Sequence, residues 1–164
     1  ELTQIGNRRA FDQAIEKQLS KPSQSTVLML MDLDHFKHCN DTYGHVMGDR
    51  VLECIGQMLA KLEGSNVKVA RYGGEEFALI FSGGLSEAES LAEVIRAKIE
   101  SVRIKNPGTS EALITLSVSI GLAVAVDGDD PEGLTAKADG ALYQAKNNGR
   151  NQVCIASSEE AYSA

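Results

Sequence analysis

Two pairs of acids stand out as residues that could do chemistry. Glu75 and Glu76 follow directly on Gly73-Gly74, between two short apolar runs, Val67 to Arg71 and Glu76 to Phe81. Two adjacent carboxylates leaving a turn repel each other unless a donor or cation lies close. Arg71 is a candidate counter-charge, and so is a metal ion. The second pair, Asp32 and Asp34, closes the apolar run Val27 to Leu33. Strand alternation places both on one face and Leu33 on the other. Carboxylates at the end of a buried strand are costly unless paired, capped or bound to a cation. Two carboxylates and a strand-end carbonyl such as that of Leu33 make a hard oxygen site, which suits magnesium that also holds substrate phosphates. Each feature has a plainer alternative. Gly73-Gly74 alone suits a type I′ hairpin with positive φ at both positions, and Asp34 alone suits the cap of a helix starting near His35-Phe36.

The polar stretch Phe36 to Asp49 adds nucleotide-reading residue types. Guanine presents an N1–H and an exocyclic amine side by side for a carboxylate, while its O6 and N3 accept from an amide. Asn40 and Asp49 supply those groups, although each alone is equally a loop or cap residue. No Gly-Lys-Ser/Thr follows Gly44 or Gly48, so this is not a P-loop. Backbone amides around His35 to Lys37 and the Lys37 side chain are the expected phosphate contacts. His45 reads as a structural loop residue rather than a base. Lys146 and Arg150, in Lys146-Asn147-Asn148-Gly149-Arg150-Asn151, are well typed for a triphosphate; the tail alone also reads as a glycine-capped helix end.

These residues must be positioned by a small set of elements. A helix is expected over Asn7 to Leu19, then a buried strand over Val27 to Leu33, with Pro22-Ser23 breaking between them. A polar loop precedes a helix from Gly48 to Leu62, followed by the two short strands. Ser86-Glu87-Ala88-Glu89 signals a helix running to Val102. Leu113 to Val126 is rich in β-branched residues and predicts one long strand. Asp130-Pro131 opens a helix through Lys146, and Gln152 to Ile155 predicts a last strand. The pattern predicts an α+β fold: a mixed, largely antiparallel sheet of about five strands surrounded by helices, with a β-α-β-β-α-β core.

The 164 residues fit one domain, 1–164, and the start at Glu1 without Met suggests a piece of a longer protein with an N-terminal regulatory region. The net charge of −7 and the lack of a basic block argue against a nucleic-acid polymer as partner. No apolar run approaches the roughly 20 residues of a membrane span, so no membrane contact is expected from this domain. Three cysteines without a CxxC spacing predict reduced thiols and a cytoplasmic location, any membrane anchor being left to the parent protein.

Taken together, the chain resembles the GGDEF family of diguanylate cyclases, whose fold is similar to nucleotidyl cyclase and polymerase palm domains. The resemblance runs through Asn7 to Phe11, Asp32 to Lys37, Asn40-Asp41, Gly44-His45, Gly48-Asp49, Ala70 to Phe77, Ala138-Asp139, Ala141 to Tyr143 and Ala145 to Asn151, with the signature written Gly-Gly-Glu-Glu-Phe. It implies condensation of two GTP into cyclic di-GMP, with release of two pyrophosphates, by a transient two-fold homodimer. It implies Asp32, the Leu33 carbonyl and Glu75 as ligands of Mg2+, with Mn2+ as an alternative, and Glu76 in support. Asn40 and Asp49 become guanine readers. Lys37, Lys146 and Arg150 become phosphate contacts, Phe36 a substrate-binding residue, and Gly73-Gly74 allow close approach to the nucleotide. A branch of the family that makes mixed GMP-AMP products has Ser where this chain has Asp49, which favours the di-guanylate product. Many members bind product at an Arg-x-x-Asp motif; that slot reads Gly64-Ser65-Asn66-Val67 here, so no primary inhibitory site is expected. The competing readings are a non-catalytic receptor for GTP or cyclic di-GMP, and another magnesium-dependent nucleotidyl cyclase.

Overall fold

The computed structural model describes residues 2–21, 24–105 and 113–157. The apolar run ending in the two aspartates is strand β1 (Thr26–Leu33), buried along nearly its whole length. It is the central strand of a five-stranded sheet ordered β2-β3-β1-β6-β7, with β2 Val67–Arg71, β3 Glu76–Ser82, β6 Val118–Val124 and β7 Val153–Ile155. β1 pairs antiparallel with β3 and β6, β2 pairs antiparallel with β3, and β7 runs parallel to β6. The expected mixed, largely antiparallel sheet is therefore present.

Alternation along β1 divides the core. Val27, Met29, Met31 and Leu33 pack with helices α2 (Phe36–Tyr43), α3 (His45–Ala60) and α4 (Leu85–Ser101), through side chains such as Phe36, Val51, Ile55 and Ile95. Leu28 and Leu30 face α1 (Arg8–Leu19) and α5 (Pro131–Asn147), meeting Phe11, Ile15, Leu134, Ala138 and Leu142. Asp32 continues this second series by the period-two rule. α1 starts where Asn7 accepts a hydrogen bond from Ala10 N–H, and α5 where Asp130 accepts from Gly133 N–H ahead of its Pro131. α5 lies hard against β6: a Cβ on Gly121 would collide with the Ala138 carbonyl and the Leu142 amide. That close approach brings Lys146, near the end of α5, down to the sheet.

Four expectations need correction. The polar stretch after β1 is not a loop: Phe36, Cys39 and Tyr43, spaced for one helical face, fold it into α2, and α3 begins at His45 rather than Gly48. Leu113 to Val126 is not one strand. Leu113–Ile114 (β5) pairs back on Ile104–Lys105 (β4) in a separate two-stranded ribbon, and β6 begins only at Val118. β-branched composition records strand propensity but not a change of partner. α4 starts at Leu85, with Glu87 accepting from the N–H of Gly84, so Ser86 lies inside the first turn instead of capping it. Gly73 and Gly74 do not adopt positive φ, so the β2–β3 connection is not the expected type I′ turn. The breaker Pro22-Ser23 lies outside the described residues.

Candidate active site

The β1–β3 register sets Asp32 directly opposite Glu76, rather than opposite Glu75. Leu33 N–H donates to the Glu75 carbonyl at 3.2 Å, so Glu75 lies at the same sheet end, one residue outside β3. Among the described residues no backbone bond returns from Glu75 to the Leu33 carbonyl. Against these three acids stands one cation: Lys146 Nζ lies 2.9 Å from Asp32 Oδ2. Neither Glu75 nor Glu76 makes an ion pair among the described residues. The crowding appears in the proton affinities. Burial pushes the Asp32 carboxyl above its usual range, against the pull of Lys146 and with help from Glu75 and Asp34. Burial likewise raises Glu76, with Asp32, Glu75 and Asp139 adding to it. Lys146, read from the sequence as a phosphate contact, is thus placed as the counter-ion of the strand-end acids.

The donors suit a divalent cation in kind: they are carboxylates with a carbonyl at a strand end, all hard oxygen, and one already attracts an ammonium. They do not converge as a ready-made cage, since no group of three His, Cys, Asp or Glu side chains among the described residues could hold a metal. The site therefore fits a cation that brings much of its own coordination, from water and substrate phosphate.

The β2–β3 turn is fixed by Arg71, and not in the way its charge suggests. Instead of pairing with Glu75 or Glu76, its guanidinium donates to the carbonyls of Gly73 (3.1 Å) and Gly74 (2.7 and 3.1 Å). Tyr72 and Gly73 amides both donate to the Glu76 carbonyl, at 2.8 and 3.2 Å. A Cβ at Gly73 would meet the end of the Glu76 carboxylate, which would have to swing aside, while Gly74 opens onto free space. Tyr72 anchors the turn to α1: its ring meets Phe11 edge-on at 5.2 Å and carries the Arg8 guanidinium 3.8 Å above it.

α2 and α3 form a tight helical hairpin joined at Gly44. Phe36 is buried and Lys37 exposed in the first turn of α2, whose N-cap His35 has left-handed backbone (φ 56°) and makes no side-chain cap. First-turn amides therefore lack a side-chain partner, as an anion-binding helix start requires. Across the hairpin, a Cβ on Gly48 would collide with the Asn40 amide and come within 3.2 Å of the Phe36 ring. The missing side chain lets Asn40 lie against α3 one residue before Asp49, which is exposed. Asn40 thus lies against Gly48, the neighbour of Asp49 in α3.

Asp34 does not take the helix-capping role that the sequence left open to it. It is 3% exposed and caps no helix. Its carboxylate accepts from the Ser119 hydroxyl at 2.6 Å, the Ser117 hydroxyl at 2.7 Å and Asn151 N–H at 3.0 Å. Arg150, beyond the end of α5, is exposed and left-handed (φ 65°). Tyr72 and Asn151 are structural participants that reading by residue type did not single out, while Arg71 and Asp34 were singled out but take other partners. Neither the Phe11–Tyr72–Arg8 contact nor the partners of Asp34 could have been read locally, because both join distant segments.

Comparison with known proteins agrees with this geometry. A family model described as "Diguanylate cyclase, GGDEF domain" matches residues 1–152. Diguanylate cyclase VdcA of Vibrio cholerae is 40% identical over 153 residues, covering 93% of this chain and 45% of that protein. An uncharacterized membrane protein of Staphylococcus aureus is 39% identical over 159 residues, covering 93% and 44%. The chain thus spans less than half the length of these curated relatives. The GGDEF domain of DgcB from Caulobacter crescentus, in complex with c-di-GMP, superposes with a TM-score of 0.92 at 36% identity, covering 96% of this chain and 92% of that one. The active GGEEF domain of a diguanylate cyclase from Vibrio cholerae gives 0.83 at 28% identity, covering 95% and 100%. With the sheet order, the Gly-Gly-Glu-Glu-Phe turn and a family match over nearly its whole length, the chain belongs to the GGDEF-domain family of diguanylate cyclases.

Proposed function

We propose that this domain condenses two GTP molecules into cyclic di-GMP, releasing two pyrophosphates, with magnesium bound at the strand-end acids. The observation that carries the reading is the excess of negative charge there: Asp32, Glu75 and Glu76 share one sheet end with Lys146 as their near cation. Diguanylate cyclases of this family generally use a divalent metal. Asp32, Glu75 and the Leu33 carbonyl are the groups to hold it, with Glu76 adding charge behind them. Bound there, the cation would polarise the attacking hydroxyl and offset charge building on the phosphate.

The chain's own residues do the rest by positioning, which dominates phosphoryl transfer. Asn40 and Asp49 read the guanine edge. The first-turn amides of α2 and the Lys37 side chain bind phosphate oxygens. Lys146, now paired with Asp32, would be released to bind the triphosphate when a cation holds that carboxylate, and Arg150 would grip the same group. The 3′-oxygen of each GTP attacks the α-phosphorus of the other, the bond to pyrophosphate breaks, and the hydroxyl proton is lost. One domain reads one guanine, so two domains must face each other about a two-fold axis.

The slot of the product-binding motif supports an enzyme without that brake. Gly64 to Val67 forms a turn closed by Gly64 N–H on the Val67 carbonyl at 3.1 Å, and it carries neither Arg nor Asp. Incubation with GTP and magnesium, at high protein concentration and with dimerisation forced by fusion, is expected to yield cyclic di-GMP that does not inhibit at low micromolar levels. No product under forced dimerisation would overturn the catalytic reading. Inhibition through a site away from the catalytic turn would overturn the claim of a missing brake.

We also propose a cytoplasmic location for the domain. No helix among the described residues is long and apolar enough to cross a membrane, and the Staphylococcus relatives are described as membrane proteins. Any anchor would then belong to other parts of the parent protein.

A further inference from the structure

The chain leaving α5 is more strained than a helix end requires. A glycine cap needs one left-handed residue. Here three occur in succession: Gly149 (φ 114°), Arg150 (φ 65°) and Asn151 (φ 47°). Left-handed backbone is disfavoured for residues bearing a Cβ, and it persists only where the surroundings over-determine it. The surroundings do so at Asn151. Its N–H is held by the buried Asp34 carboxylate at 3.0 Å, its Oδ1 accepts from Arg96 at 3.0 Å, and its Nδ2 donates to Glu100 at 2.8 Å. Arg96 is itself fixed by Glu93 (2.8 Å) and Glu100 (2.9 Å). Asp34 is in turn fixed by Ser117 and Ser119. On the other side, Arg150 N–H donates to the Ala145 carbonyl at 3.0 Å, and the Arg150 carbonyl accepts from Gln152 Nε2 at 3.0 Å.

Arg150 is thus an exposed side chain on a backbone pinned before and after it. We propose that Asp34 and Asn151 are positioning residues for the triphosphate: they lock the Gly149–Asn151 segment so that the Arg150 guanidinium is offered from a fixed base, close in sequence to Lys146. This rests on the reading of Arg150 as a phosphate contact. Asn is the fitting residue at 151, because its amide must both accept from Arg96 and donate to Glu100. Asp would set a second carboxylate against Glu100. Pre-setting the backbone reduces the ordering lost when the long Arg side chain closes on an anion.

The test measures binding of 3′-deoxy-GTP and 3′-deoxy-GMP, which lack the attacking hydroxyl, to the whole domain with magnesium by calorimetry. Arg150→Ala is expected to weaken 3′-deoxy-GTP by about tenfold or more, and Asn151→Ala by about fivefold. Neither should change 3′-deoxy-GMP affinity. The double variant should bind 3′-deoxy-GTP no worse than Arg150→Ala alone, since the clamp acts through Arg150. Should Asn151→Ala fail to fold, Asn151→Gly keeps the left-handed backbone accessible, removes the clamping amide, and is expected to show the same loss. An unchanged triphosphate-to-monophosphate ratio in the Asn151 variants, or additive losses in the double variant, would overturn the positioning role. A silent Arg150→Ala would overturn the phosphate reading beneath it.

Discussion

Asp32 lies near the end of β1 and Asp34 in the turn just beyond it, two residues apart, yet they sit in opposite electrostatic settings. Asp34 is enclosed by three donors, two hydroxyls and one amide, and joins β1 to β6 and to the chain after α5. Asp32 has one flexible partner in Lys146, and two further acids raise the cost of its charge. A carboxylate whose lone pairs are filled by the fold belongs to the fold. One held by a single side chain and crowded by like charge is free to change partners. The metal and the substrate are therefore expected at Asp32, and a contribution to stability at Asp34.

Substitution separates the two most sharply. Asp32→Asn is expected to lower cyclic di-GMP formation by about 10²-fold or more, with an unchanged or raised Tm because a crowded charge is removed. Asp34→Ala should do the reverse at equilibrium, destabilising the domain by about 3 kcal/mol in urea titrations, since the buried Ser119 hydroxyl and the half-buried Ser117 and Asn151 donors lose their acceptor. A stable Asp34→Ala protein, or an unfolded Asp32→Asn protein, would erase the contrast. Ser119→Ala, which removes one donor to Asp34, should cost about 1 kcal/mol.

The smallest effect is in the pH dependence of the metal-free domain. Asp32 and Glu76 are raised from 3.8 and 4.5 respectively, burial being the main cause for both. Above those unfolded values and up to the raised folded ones, the native state binds more protons than the unfolded state. Stability therefore declines as pH rises through that window. Asp32→Asn should flatten part of this slope in denaturation curves taken across the acid range. Magnesium should oppose it, because it binds the ionised carboxylates. A wild-type slope of the opposite sign would contradict the crowding described for Asp32 and Glu76.

The same contrast shows what could be read from the chain. β1 was legible because a short apolar run set between Pro22-Ser23 and a polar stretch suits a strand covered on both faces, and α1 and α5 because Asn7 and Asp130-Pro131 are local start signals. The acids, Asn40, Asp49 and Lys146 were legible by residue type, and the fold groups them at a sheet end and a helical hairpin. The role of Asp34 was not legible, since its partners Ser117, Ser119 and Asn151 lie far away in sequence. Arg71 misled for a related reason. Its charge suggests pairing with Glu75 and Glu76, but geometry gives it the nearer carbonyls of Gly73 and Gly74. α2 was legible only as an alternative, the helix that Asp34 could cap, because eight residues carry too few periodic positions to outweigh their polar composition.

The most direct test of the central claim is Mg2+-dependent cyclic di-GMP formation by the forced dimer, comparing wild type with Glu75→Gln and measuring GTP binding alongside. Product is expected from wild type, none after chelation of the metal, and in Glu75→Gln a loss of turnover with GTP binding retained at least in part. Turnover in Glu75→Gln equal to wild type would contradict the assignment of the strand-end acids as the metal site.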